Sequence, residues 1–333
     1  MESGRVHAVN KTMHGLFVAA AIALLAPFVS EAKAQKYPER PVKIVLPFGA
    51  GGVADVTARI LAEKLGDRLG QRFVVENMPG AGGISAANAV IGAPADGYTI
   101  GFVTNGTAIS AAQFKNLPFD PVRDFAMVST LGTFDLVFAV NADAPFQTLA
   151  DVIRAAKERP GALNIGTINV GGTQNLGAEM FRLMADLDVQ IVPYRNSPDI
   201  VVGLLRNDVH MLVEFPAAIK GQVADGRLRV LATSGPKRSP SMPDVPTVNE
   251  AGVPGYEVTS WNGVFAPRGT RGEVIAILNG ALAEVLILPD VRAKFLDLGI
   301  EAKSSTPDEL LALFKSDVRK WAEVIEKAGI EKK

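Results

Sequence analysis

Short runs of β-branched and aliphatic residues alternate along this chain with stretches whose apolar residues recur at helical spacing, and that order leaves few folds open. The run Val42 to Leu46 is followed by Val56, Ile60, Leu61, Leu65 and Leu69 on one helical face, then by a second short run from Phe73 to Glu76. Further strands are predicted at Tyr98 to Val103, Ile191 to Val192, Val209 to Val213 and Leu228 to Ala232. Helical spacing returns at Leu176, Met180, Leu183, Met184 and Leu187, and near the end at Leu310, Phe314, Val318, Trp321 and Ile325. Strand, helix, strand in repetition is the pattern of α/β domains built on parallel sheets. No internal repeat of fixed period and no low-complexity tract interrupts it.

The first 34 residues stand outside this pattern. Arg5 and Lys11 precede an apolar run from Leu16 to Val29 that ends in Ala32-Lys33-Ala34. A basic start, a run too short to span a bilayer and a small-residue site read as a secretory signal cleaved near Ala34. The remainder is then free in the periplasm, and with no cysteine in the sequence it carries no lipid anchor on that residue and no disulfide. Removing residues 1–34 takes three basic and two acidic side chains, leaving 31 against 33. A charge balance so near zero offers no basic face to nucleic acid and no polybasic patch to a membrane, which leaves a small molecule as the expected partner.

The 299 remaining residues (333 minus 34) exceed what one core usually serves, so two lobes are expected. The stretch 236–256 holds Pro236, Pro240, Pro243, Pro246, Pro254 and Gly255 and reads as a surface excursion between them. A second crossing is expected near Val137 to Pro145. Two crossings make the first lobe discontinuous, 35–138 with 262–333, around a second lobe at 139–261. The cleft between such lobes is the default ligand site.

Two glycine-rich segments lie between a strand and a helix. In the first, Pro47 to Asp55, the glycines let backbone N–H groups turn toward a ligand, and the helix start adds the positive end of its dipole. Phe48, Ala50, Gly51, Gly52 and Asp55 are the candidates there. The same segment also reads as an ordinary turn that binds nothing, with Asp55 only favouring the helix start. In the second, Gly166 to Gln174, backbone donors at Gly171 and Gly172 are joined by the side chains of Thr167, Asn169, Thr173 and Gln174. Thr173 there reads equally as a helix cap. For the rest of a ligand the candidates are Thr104, Asn105, Thr107, Tyr194, Ser197, Glu214 and Phe215; Tyr194 and Phe48 are each as readily core residues, and Glu214 a strand-end charge.

Catalytic side chains are scarce. His7 and His14 fall in the leader, so one imidazole, His210, remains, on an apolar strand where a structural partner is expected. Thiol chemistry and multi-histidine metal sites are excluded, and no cofactor is called for. Ser234 to Lys237 matches S-x-x-K, but Pro236 denies it the helix that brings lysine under serine. The sharpest rival is a dinucleotide-binding oxidoreductase, because Gly49, Gly51 and Ala54 satisfy G-x-G-x-x-A and Glu76 ends the next strand. Against it stand the export signal and a second glycine cluster, Gly80 to Gly83, directly after Glu76.

The sequence resembles the substrate-binding proteins of tripartite tricarboxylate transporters, the Bug family. The resemblance rests on Tyr37-Pro38-Glu39-Arg40-Pro41-Val42-Lys43-Ile44-Val45, Pro47-Phe48 with Gly51-Gly52 and Asp55, and Val75 to Gly83. Asp96-Gly97-Tyr98-Thr99, Leu117 to Pro121 and Pro193-Tyr194 extend it nearly end to end. It implies a two-lobe periplasmic-binding-protein fold of type II, with two crossings, closing on a ligand like a flytrap. It implies that loops 47–55 and 166–174 hold a carboxylate and that two integral-membrane permease subunits receive the solute. The scarcity of catalytic side chains points away from an enzyme, and a monomer is expected. An orphan receptor acting as a sensor is the remaining alternative. Ile168, Asn169, Asn175, the run Arg195 to Pro198 and Glu214-Phe215 depart from the family pattern where choice of ligand is expected.

Overall fold

The computed structural model describes residues 37–333, so the secretory signal lies outside the described residues. The chain divides into a unit through Tyr37 and a second from Pro38 to Lys333, and every described strand and helix belongs to the second.

Among the described residues, eleven strands form two sheets. β1 (Val42–Leu46), β2 (Phe73–Asn77), β3 (Thr99–Thr104), β4 (Phe125–Asp135), β10 (Thr259–Pro267) and β11 (Glu301–Ala302) make one, in the order β11-β4-β10-β3-β1-β2. β5 (Val137–Asn141), β6 (Asn164–Ile168), β7 (Gln190–Tyr194), β8 (Met211–Glu214) and β9 (Leu228–Thr233) make the other, in the order β7-β6-β8-β5-β9. In each sheet the helix-linked strands are parallel: β1 pairs with β2 and β3, and β6 with β7 and β8. The strands that connect the sheets, β4, β5, β9 and β10, pair antiparallel.

The helices in chain order are α1 (Val53–Leu69), α2 (Ile84–Ile91), α3 (Asn105–Gln113), α4 (Pro121–Asp124), α5 (Leu149–Glu158), α6 (Thr173–Met184), α7 (Ser197–Leu205), α8 (Pro216–Ala224), α9 (Gly272–Leu286), α10 (Pro289–Asp297) and α11 (Pro307–Lys327). Helices on both faces explain why the run Leu136 to Val140 is apolar throughout instead of alternating. Val137 and Ala139 pack with Ile200, Leu204 and Ile219, while Phe138 and Val140 turn to the opposite cluster, where Phe138 meets Phe181 and Tyr256 edge-on or tilted. α11 starts where the sequence lets it: Thr306 caps Glu309, Glu309 returns the bond to the Thr306 N–H, and Pro307 takes the first turn. Its buried stripe, Leu310, Phe314, Trp321 and Ile325, is the one expected from spacing, but Val318 is only half-buried and Asp317 is buried beside it.

The sheets exchange the chain at two points that are bonded to each other. Leu136 alone separates β4 from β5; β9 ends at Thr233, and the chain returns through Val258 into β10. The Ser234 hydroxyl accepts from the Leu136 N–H at 2.7 Å and donates to the Val258 carbonyl, and the Val258 N–H donates to the Ser234 carbonyl at 2.8 Å. The proline-rich excursion, 235–257, hangs from this clamp. The serine of the S-x-x-K string is thus consumed at a crossing, and Lys237 pairs with Glu301.

Candidate functional site

Both glycine loops adopt one local design. In each, a glycine in the left-handed region (Gly51, φ 84; Gly171, φ 76) precedes an extended glycine cap, Gly52 before α1 and Gly172 before α6. Only glycine adopts the first conformation without strain. In each, the N–H of the first glycine donates to a side chain four residues on: Gly51 to Asp55 Oδ2 at 2.9 Å, Gly171 to Asn175 Oδ1 at 2.9 Å. The motif is Gly-Gly-x-x-Asx. The Gly172 N–H is also taken, by the Asn169 carbonyl at 2.9 Å, so neither expected glycine donor of the second loop is free and the donors left over are those of the first helical residues.

The two Asx side chains have different company. Asp55 is buried at 3% exposure, accepts a bidentate pair from Arg59 at 3.0 and 2.9 Å, and takes a further bond from Asn77 Nδ2 at 2.9 Å. Arg59, then the Gly51 N–H, hold its carboxyl well below the usual carboxylate range. Both oxygens are therefore occupied inside the loop, and Asp55 faces its own arginine where a ligand contact was expected. Asn175 is uncharged and donates to the Thr167 hydroxyl at 3.3 Å, so fully buried Thr167 supports the second loop from beneath.

A cavity of about 600 Å³ lies where α3 and the loop after β1 face the second glycine loop. Of the expected residues, Phe48, Thr104, Thr107, Asn169, Gly171, Gly172 and Thr173 line it. Phe48 is 41% exposed, which makes it a wall and not core. Thr104 and Thr107 form the capping box of α3. Thr173 is the first residue of α6, after the Gly172 cap, so it is no cap itself; its hydroxyl donates to Asn105 Oδ1 at 2.9 Å. That bond joins the two sheets' helices. Asn105 then donates to Asp317 at 2.7 Å, and Asp317 also accepts from Trp261 Nε1 at 2.7 Å and from Lys320.

The other expected residues lie elsewhere. Ala50, Gly51 and Gly52 belong to the first loop's tip, outside this cavity, and a side chain built at Gly51 or Gly52 would meet open space. Asn105 is fully buried behind the wall, as the middle of the chain of bonds from Thr173 to Asp317. Glu214 is 1% exposed and its oxygens accept from Gln174, Ser197 and the Phe215 N–H at 2.8, 2.8 and 2.7 Å. Glu214 and Ser197 thus satisfy one another, and so do not point at a ligand. Tyr194 packs its ring on Gly203 in the second sheet's own cluster, and Phe215 meets Phe134 edge-on at 5.1 Å. What sequence reasoning passed over is the later part of α3, whose Ser110 and Gln113 also line the cavity, along with Val170 and Phe114.

His210 has the structural partner expected of it: its ring Nδ1 lies 2.8 Å from Asn164 Oδ1, and burial pushes its pKa down. Glu76, the acid of the dinucleotide reading, pairs with Lys43 at 2.7 Å. Among the described residues no group of three or more metal-ligating side chains converges.

A two-lobed α/β molecule with paired crossings and a polar cavity bounded by helix starts defines the solute-binding receptors of the periplasmic-binding-protein fold. The family model of the tripartite tricarboxylate transporter receptor, TctC, matches residues 57–330, and the chain belongs to that family. It is 35% identical over 305 residues to a UPF0065 protein from the tcbD-tcbE intergenic region of a Pseudomonas species, covering 90% of this chain and 91% of that one. BugT of Bordetella pertussis is 33% identical, with 96% of this chain and 97% of that one covered. Among solved structures, R. palustris Rpa4515 with adipate shares 34% identity at a TM-score of 0.76, over 89% of this chain and 99% of that one. MatC from Rhodopseudomonas palustris with bound malate shares 29% at 0.73, over 87% and 100%. The family consists of solute-binding receptors, not enzymes, and the dinucleotide reading is not favoured.

Proposed function

We propose that this protein captures a small carboxylate-bearing compound between its two lobes in the periplasm and delivers it to the two integral-membrane subunits of a tripartite-type transporter. The observation that carries the reading is the second glycine loop. The start of α6 opens into a cavity lined by no acidic side chain, beside the hydroxyls of Thr104, Thr107 and Thr173. Unpaired N–H groups at a helix start favour an anion. Relatives holding adipate and malate support a carboxylate in particular. In this reading the lobes are the two sheets with their helices, meeting at the Leu136–Ser234–Val258 clamp, since the expected bounds 138/139 and 261/262 would cut β5 and β10. A ligand that binds the closed form better shifts the hinge equilibrium. The leader is removed near Ala34 and the mature receptor is a monomer.

Thermal-shift screening of residues 35–333 against tricarboxylates, dicarboxylates, acidic amino acids and aromatic acids tests this. A ligand bound by the folded state alone raises the melting temperature by mass action. Silence across all four classes would sink the carboxylate reading.

A further inference from the structure

Gln113, the last residue of α3, is not explained by the fold. It is 4% exposed, yet its side-chain amide nitrogen is buried without a hydrogen-bond partner. A buried donor left unpaired costs the free protein its desolvation, and such groups are rare in native structures. The amide points at the second glycine loop: a Cβ built on Gly171 would stand 2.3 Å from Nε2 and 2.7 Å from Oε1. Ser110, one turn earlier on the same face, donates to the Gly106 carbonyl, and its oxygen accepts no bond from the Gln113 amide. The position is framed from both ends, by the backbone bond from the Lys333 N–H to the Gln113 carbonyl on one side and by the start of α6 on the other.

We propose that Gln113 is a specificity-determining residue, whose side-chain amide donates to the ligand carboxylate seated at the start of α6. This rests on the carboxylate reading of the cavity. The donor that is unpaired in the free protein is paired in the complex, so binding recovers what folding leaves unsatisfied. A site built to hydrogen-bond its ligand rejects analogues without the matching acceptor far more strongly than an apolar pocket does. The neutral amide adds no charge of its own, and a compound with an ammonium or a methyl group in place of the carboxylate loses this contact.

The test compares wild type with Gln113→Met, similar in length but without a donor, and Gln113→Glu, similar in shape but anionic. Melting temperature without ligand and affinity for citrate, malate, adipate, glutamate and benzoate are measured for each. We expect the Met variant to melt at the wild-type temperature or above, while losing about tenfold or more in affinity for whichever acid wild type binds best. The Glu variant should lose about a hundredfold, since it sets like charge against the ligand. A Met variant within twofold of wild-type affinity, or one that melts several degrees lower, would overturn the assignment and mark the amide as structural. No response of wild type to any of the five acids overturns the carboxylate reading together with this inference; a response that the Met variant retains overturns the inference alone.

Discussion

The two glycine loops share a backbone and differ in one functional group, the carboxylate of Asp55 against the carboxamide of Asn175. A negative charge under the first helix start already occupies the favourable end of that dipole, and Arg59 neutralises it. Under the second helix start the equivalent side chain is neutral, and that loop borders the cavity. In the proposed reading the second loop, with no charge under its helix start, is the one that takes the ligand, and the residue four positions after the left-handed glycine is what distinguishes it from the first.

The largest effect should come from making the loops alike. Asn175→Asp places a carboxylate at a 3% exposed position with no arginine beside it. An uncompensated buried charge costs about 3–5 kcal/mol, so urea unfolding should show a drop of that order, and carboxylate binding should vanish. Next, Gly171→Ala combines backbone strain at φ 76 with a clash against Gln113, for about 2–4 kcal/mol. Gly51→Ala meets open space and suffers only the strain, about 1–2 kcal/mol. Equal losses at the two glycines would break the contrast. Asp55→Asn should cost about 1–2 kcal/mol, because Arg59 is half exposed and water replaces its partner, and should leave ligand affinity nearly unchanged.

The smallest effect is in pH. The Asp55 carboxyl is held below its unfolded value of 3.8, so its stabilisation is present above that pH and is lost as pH falls below it. The Asp55→Asn protein should accordingly show a shallower decline in stability below about pH 4 than wild type. An Asn175→Ala protein should keep the wild-type slope, since Asn175 does not titrate. A second acid runs the other way: burial raises Asp135, beside the crossing, to about 6. Its ionisation costs stability as pH rises from about 4 to 6, so Asp135→Asn should flatten that part of the profile.

The strands that were read are short runs rich in β-branched and aliphatic residues; β1 coincides with the expected run, β2 and β9 each extend one residue further, and β3 is shifted by one residue at both ends. β7 and β8 shifted more. Gln190 and Tyr194 flank a core too short to announce its ends, and His210 pairs with Asn164 just before β8 begins. Phe48 and the second glycine loop, which line the cavity, were legible as candidates because a glycine-rich helix start carries its own chemistry. Glu214, Ser197 and Tyr194 were chosen for residue type; Glu214 and Ser197 bond one another, and the Tyr194 ring packs on Gly203. Gln113 was invisible for the opposite reason: an ordinary glutamine at a helix end becomes unusual only when the other lobe's Gly171 is packed against it. The Gly-Gly-x-x-Asx pair at 51–55 and 171–175 was in the sequence, and comparing its fifth positions would have separated the two loops.

The relay from Thr173 through Asn105 and Asp317 ends on the indole N–H of Trp261, a fully buried ring in β10. Separation of the helices that carry Thr173 and Asn105 removes one partner from this chain and changes the polarity felt at the far end. Indole emission responds to the charge and hydrogen bonding around its nitrogen, so under the proposed opening and closing of the lobes the Trp261 share of the emission, beside that of buried Trp321, is expected to change. A stopped-flow trace on unlabelled protein would then follow the two lobes in real time, with Thr173→Val as the variant that cuts the relay.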